Sequence, residues 1–275
     1  MKKIDLKKID TEQQNKNSRH LEEKSTLEIL NIINQEDEII TKAIKEKLPK
    51  ITSIIDEIVL KLEKGGRLFY VGAGTSGRLG VLDASEILPT FGVSDQIIGL
   101  IAGGDHALRF PIEGAEDDEN IFIKELQKYN FNEKDCVIAI GASGRTPCCL
   151  GTLKYAHKIG AYSASLCMSQ QNEFEKYTSN NITILVGPEV VMGSTRLKSG
   201  TATKMVLNMI STTLMIKLGK VYDNYMINLQ LTNQKLINRA TMILNSLFDL
   251  SFDEAMIILK KHHNNLNKAI EELKN

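Results

Sequence analysis

Between Ser25 and Gly66 the chain reads STLEILNIINQEDEIITKAIKEKLPKITSIIDEIVLKLEKGG, with apolar residues recurring at three- and four-residue intervals. That period predicts amphipathic helices that each bury one face, with a break near Pro49 and a stop at Gly65-Gly66. Beyond Gly66 the pattern changes to five short apolar runs, RLFYVG, QIIGLIAGG, CVIAIG, AYSASLCMS and NITILVG. Gly-rich polar turns and helical stretches such as TPCCLGTLKYAHKIG and TATKMVLNMISTTLMIKLG lie between them. Strand, glycine turn, helix, strand is the rhythm of βαβ units, so the pattern predicts an α/β fold around a mainly parallel sheet. Nearly continuous apolar strands suit a sheet covered on both faces. From about Ile237 the strand signal stops, and LNSLFDLSFDEAMIILKKHHNNLNKAIEELK reads as two or three short helices, one opening on the capping-box pair Ser251 and Glu254.

Composition narrows the partners. The 34 basic and 34 acidic residues cancel, which removes the attraction that draws proteins to nucleic acids or anionic membranes. A compact polar or singly charged ligand fits better. Cys136, Cys148, Cys149 and Cys167 form no C-x-x-C and no zinc-like pairing with the five histidines, so they read as reduced thiols of a cytoplasmic protein. The opening MKKIDLKKIDTEQQNKNSRH has no apolar core, which argues against a signal peptide or anchor. Met205–Gly219 is the most apolar helical stretch, but polar residues interrupt it below the roughly 18 residues a span needs, so it predicts a buried helix or a subunit interface.

In open parallel sheets, ligands bind beyond the carboxyl ends of the strands, where loops enter helices. The first such loop, VGAGTSGR, has Gly72, Gly74 and Gly77 at the dinucleotide spacing G-x-G-x-x-G. The acidic residue that would hold a ribose is missing, because the next strand ends in glycines with Asp105 only beyond them. Thr75 and Ser76 instead offer hydroxyls beside backbone N–H groups at a helix start, which suits a phosphate monoester. The wording returns as GASGRTP, with Ser143, Gly144 and Thr146 ahead of Pro147, and a third loop supplies Ser194, Thr195, Lys198, Ser199 and Thr201. Taken singly, each hydroxyl is also what an ordinary helix cap uses, and Lys198 is also what a solvated helix start looks like. Three such loops on one sheet point to a sugar phosphate.

Two acidic segments accompany these loops: DASE, Asp83–Glu86, and EGAEDDE, Glu113–Glu119. Asp83 and Glu86 have the spacing of a capping box, and the second run has the composition of a solvated face. Carboxylates beside a bound sugar can equally act as general acid and base. No His/Asp/Glu set has metal-ligand spacing, so the reading is proton transfer with no metal and no cofactor.

GAGTSGRLGVLDASE, LIAGGDHALRFPIEGAEDD, GASGRTP and GPEVVMGSTRLKSGTATK together resemble the N-acetylmuramic acid 6-phosphate etherases, relatives of the glucokinase regulatory protein. The resemblance implies a SIS (sugar isomerase) fold, a three-layer αβα sandwich with a five-stranded sheet. It implies a SIS catalytic domain with N-terminal helices over 1–235 and a small helical, UBA-like subdomain over 236–275. It further implies a cytoplasmic homodimeric lyase of amino-sugar catabolism and peptidoglycan recycling that releases D-lactate from its sugar phosphate by elimination and then hydration. The family's catalytic glutamates fall on Glu86, the expected proton donor to the leaving ether oxygen, and Glu116, the expected partner in proton abstraction or water activation. Burial would raise one glutamate into the range of a usable acid. Thr75, Ser76, Gly77, Ser143, Gly144, Thr146, Ser194 and Lys198 are the expected substrate contacts. Rival readings are an aldose–ketose isomerase working on the same C2 proton and a sugar-phosphate-sensing regulator without catalysis.

Overall fold

Ser25 opens the first helix with a capping box: its hydroxyl accepts from the Glu28 N–H while the Glu28 carboxylate accepts from the Ser25 N–H. The computed structural model describes residues 10–228, 231 and 233–274; the opening MKKIDLKKI, expected to be neither leader nor anchor, lies outside them. The helical region resolves into α1 (Thr26–Asp37), α2 (Ile39–Lys45) and α3 (Leu48–Glu63). Pro49 sits in the first turn of α3, where its missing N–H would have had no intrahelical partner. Ile51, Ile54, Ile55, Ile58 and Leu62 form the buried stripe of α3.

Each of the five apolar runs becomes a strand: β1 (Leu68–Gly72), β2 (Ile97–Ile101), β3 (Cys136–Ile140), β4 (Tyr162–Cys167) and β5 (Asn181–Thr183). They form one parallel sheet in the order β2-β1-β3-β4-β5. Intervening helices are α4 (Gly74–Ser85), α5 (Ile87–Phe91), α6 (Ile121–Lys128), α7 (Pro147–Ile159) and, after β5, α8 (Lys198–Lys217). Alternation along the strands assigns the two faces. Phe69, Val71, Val137 and Ala139 join a buried cluster with Phe122 and Leu126 of α6 and Cys148, Cys149, Leu153 and Ala156 of α7. On the opposite face, a Cβ added to Gly80 of α4 would lie 3.0 Å from the Tyr70 side chain and 3.5 Å from that of Ile140. Helices thus cover both faces, as the near-continuous apolar strands require.

At the amino edge of the sheet a single carboxylate joins two strands. Asp135, 2% exposed, accepts from the Arg67 backbone N–H at 2.9 Å, Arg67 Nε at 3.1 Å, Arg67 Nη2 at 2.9 Å and the Asn132 N–H at 3.1 Å. Its charge is therefore fully paired despite burial.

The chain divides into two compact units. The first comprises the residues up to Ala84 and Gln96–Ser211, and holds the sheet. The second comprises Ser85–Asp95 and the residues from Thr212 onward. The latter contains α5, a two-stranded hairpin of β6 (Val221–Tyr222) and β7 (Tyr225–Met226), and the helices α9 (Gln234–Phe248), α10 (Phe252–Lys261) and α11 (Leu266–Lys274). Ala240, Leu244, Ala255, Leu259, Ala269 and Ile270 form its core, and α10 starts on the expected Ser251–Glu254 capping box. Within α8, Val206, Leu207, Ile210, Leu214 and Met215 are fully buried, which accounts for the apolar stretch from Met205. No helix among the described residues is long and apolar enough to cross a membrane. All four cysteines are free and buried, and burial pushes the Cys136 and Cys167 thiols up to about 12 and about 11.

Candidate active site

The glycines of the first loop serve backbone packing. A Cβ on Gly77 would stand 2.2 Å from the Gly72 carbonyl oxygen, and one on Gly72 would stand 2.9 Å from the Gly77 nitrogen. Gly74 has φ +53°, a conformation that side chains rarely adopt. The chain can therefore turn directly from β1 into α4, leaving Thr75 and Ser76 half-buried in the first helical turn. The second loop is built by different contacts. Gly144 (φ +66°) donates to the Gly141 carbonyl at 2.9 Å, Ser143 Oγ accepts from the Arg145 N–H at 3.3 Å, and α7 follows with Pro147 in its first turn. Thr146 occupies the cap position of α7 without a side-chain cap bond.

Sheet register brings these loops together. Gly72 pairs with Ile140 on one side and with Ile101 on the other, so β2, β1 and β3 end level and their loops leave at one edge. The third loop joins them through α8: a Cβ on Gly200 would be 3.5 Å from Thr75 Cγ2. Beyond β2 the chain turns at Gly103 and Gly104 and reaches Gly114 (φ +71°), after which Ala115–Asp117 form a single helical turn carrying Glu116. Glu116, Gly74 and Arg78 line one cavity of about 190 Å³, walled on the apolar side by Ala107 and Ile112. Arg78 Nε and Nη2 donate to the carbonyls of Leu108 (2.9 Å) and Ala107 (2.7 Å), which fixes the turn between β2 and Glu116.

Several expected residues stand differently from their sequence reading. Asp83 lies inside α4, 6% exposed, so it forms no capping box with Glu86. Burial raises its carboxyl, with the Ser211 bond, the neighbouring Tyr70 hydroxyl and the charge of Lys204 pulling the other way. Glu86 precedes α5 at its cap position and makes no cap bond. Glu86 and Glu116 are both exposed. Lys198 is 2% exposed rather than solvated, and its ammonium lies 2.5 Å from Glu36 Oε2. Ser194 and Thr195 are half-buried in the loop just before it. His20, Glu22 and Glu23 bring ligand atoms near one another at the surface, but all three are exposed and remote in sequence from the loops above.

Comparisons with known proteins bear on this arrangement. The family model for the glucokinase regulatory protein N-terminal SIS domain matches residues 50–157, and that for the SIS domain matches residues 116–213. The N-acetylmuramic acid 6-phosphate etherase of Mycoplasma mycoides is 47% identical, with 99% of each chain covered. That of Clostridium beijerinckii is 48% identical over 98% of this chain and 89% of its own. That of Porphyromonas gingivalis is 51% identical over 88% of this chain and 89% of its own.

The chain belongs to the N-acetylmuramic acid 6-phosphate etherase family.

Among solved structures, phosphoheptose isomerases share the fold at low identity. The Neisseria gonorrhoeae protein has a TM-score of 0.52 at 13% identity, covering 69% of this chain and 98% of its own. The Francisella tularensis protein has a TM-score of 0.50 at 18% identity, covering 72% and 100%. Two features of this etherase-family site escape sequence reasoning. The Arg78 clamp depends on carbonyls about thirty residues away, and nothing in TSGRLG marks the arginine as more than a helix residue. The burial of Lys198 depends on Glu36, 162 residues distant.

Proposed function

We propose that the protein is a lyase cleaving the D-lactyl ether of N-acetylmuramic acid 6-phosphate to N-acetylglucosamine 6-phosphate and D-lactate. The observation that carries this reading is the convergence, at one sheet edge, of two hydroxyl-bearing glycine loops and a cavity holding Glu116 against the first of them. Thr75, Ser76 and Gly77 on one side, and Ser143, Gly144 and Thr146 on the other, hold the 6-phosphate through hydroxyls and helix-start N–H groups. Ser194 adds a hydroxyl from the third loop.

In the open-chain sugar the C1 aldehyde acidifies the hydrogen on C2. Glu116 removes that proton, the C2–H electrons form the C2–C3 double bond, and the C3–O bond breaks. Glu86 gives its proton to the departing ether oxygen, which leaves as the hydroxyl of D-lactate. Water then adds its oxygen to C3 and C2 regains a proton, so one water is consumed per ether cleaved. Proton transfer by two carboxylates suffices for each step. The enzyme works as a cytoplasmic homodimer in amino-sugar catabolism and cell-wall recycling. Incubating the purified protein with N-acetylmuramic acid 6-phosphate and assaying D-lactate tests the reading. Stoichiometric lactate is expected, and a folded protein that yields a sugar isomer or no lactate overturns it.

A further inference from the structure

Three stretches of chain meet at the start of α8. Glu189, fully buried, accepts from the backbone N–H groups of Lys198 and Ser199, both at 2.9 Å. The Lys198 side chain leaves in another direction, to Glu36 of α1 at 2.5 Å. Glu36 also accepts from Asn15 Nδ2 at 2.6 Å and Asn17 Nδ2 at 2.8 Å. Asn15 in turn donates to the Pro188 carbonyl at 3.1 Å, and Ser18 Oγ to the Val190 carbonyl at 2.7 Å. The loop from Pro188 to Lys198, which carries Ser194 and Thr195, is thereby tied to residues 15–18 and to α1. No residue of α1 is fully buried, and this polar junction ties that helix to the loop.

We propose that Lys198 is a positioning residue. It locks the third loop to α1 and the 15–18 segment so that Ser194 is presented to the phosphate, and it does not itself bind the phosphate. This rests on the sugar-phosphate reading of that loop. To reach a ligand the ammonium would have to leave Glu36, stranding a carboxylate with 12% side-chain exposure without its cation. Burial alone would raise Glu36; the bonds from Lys198, Asn17 and Asn15 outweigh it and hold the carboxyl below its ordinary range, as in a permanently ionised partner.

The test compares lactate-release kinetics of wild type, Lys198→Met, Glu36→Gln, the double variant and Lys198→Arg. A loop displaced by even about 1 Å weakens its contacts, so each single variant is expected to raise KM about tenfold with kcat changed less than about threefold. The double variant is expected to be no worse than either single one, because both break the same pair. Lys198→Arg, which keeps a cation against Glu36, is expected to restore KM to within about threefold of wild type. If Lys198 were a phosphate ligand, Glu36→Gln would free the ammonium, and an unchanged or lower KM in that variant overturns the proposal. Should Lys198→Met or Glu36→Gln fail to fold, Asn17→Ala and Ser18→Ala decide. Both remove half-buried or exposed ties of the same junction, and an unchanged KM in both overturns the proposal. Calorimetric binding of N-acetylglucosamine 6-phosphate must follow the same pattern in Kd. That measurement does not need turnover, so it separates failure of this proposal from failure of the lyase reading, which shows as wild type releasing no lactate.

Discussion

Ser211 of α8 donates to Asp83 Oδ1 of α4 across 3.1 Å, in a space where Asp83 Oδ2 and the Tyr70 hydroxyl are buried without a hydrogen-bond partner of normal geometry. The carboxyl is thus only partly satisfied where water does not reach it. Burial accordingly raises its pKa, so the folded chain keeps this proton to higher pH than the unfolded chain does. Stability from this group is therefore full below the ordinary aspartate range near about 4 and is lost as pH rises through the folded value. Asp83→Asn, which resembles the protonated form, is expected to melt higher than wild type at pH 8, with the gap closing toward pH 4. Melting curves across that range check it, and a gap independent of pH would contradict the raised carboxyl.

Removing either proposed proton carrier separates chemistry from binding. Glu86→Gln and Glu116→Gln are each expected to lower kcat by more than about a hundredfold. Calorimetric affinity for N-acetylglucosamine 6-phosphate is expected to change little, because the loops proposed to hold the phosphate are untouched. Full turnover in either variant removes that residue from the mechanism.

Gly77→Ala is expected to cost the loop between β1 and α4 its shape. The new methyl would meet the Gly72 carbonyl oxygen at 2.2 Å and Ile101 Cγ1 at 2.7 Å, and backbone cannot swing aside as a flexible side chain can. Loss of phosphate-ligand binding with a folded circular-dichroism spectrum is the expected outcome.

Arg78→Met removes two donors from the carbonyls of Ala107 and Leu108. Each lost bond to a charged donor costs on the order of 1–3 kcal/mol, and the turn leading to Glu116 loses its anchor. Lowered kcat/KM is expected, with a smaller loss of melting temperature, and steady-state kinetics beside calorimetry distinguish the two.

Asp135→Ala acts at the opposite edge of the sheet. It leaves the Arg67 guanidinium without its carboxylate and unpairs two backbone N–H groups, a disruption worth about 3–5 kcal/mol when one partner of a buried pair is removed. Chemical denaturation should show that loss, while kcat measured well below the melting temperature should match wild type.

The sheet was legible in the sequence because its strands are continuous apolar runs closed by glycines, and every one of the five runs forms a strand. The helix-start positions of Thr75, Ser76 and Thr146 were legible for a related reason: each follows the glycine-bearing turn that closes a strand. Asp83 was not. Its periodicity within α4 reads as well for a cap or an exposed position as for burial, and only the packing of α4 and α8 decides. Lys198, read as a substrate contact with a solvated helix start as the alternative, is buried against a partner, Glu36, that lies in another helix, and the role of Arg78 left no signal because its partners are carbonyls, which carry no residue signature. Pairings set by tertiary contact leave no mark in local composition.

Glu189 carries a last consequence for where an anion can dock. A helix as long as α8 ordinarily offers its amino end to a phosphate, because the free N–H groups and the helix dipole both favour negative charge there. Here the protein has filled that seat with its own carboxylate, which takes the N–H groups of Lys198 and Ser199. Under the proposed sugar-phosphate reading, the helix ends open to the phosphate are those of α4 and α7, and the third loop offers it side-chain hydroxyls. On that proposal the seat of the phosphate is set in part by a residue that never meets it.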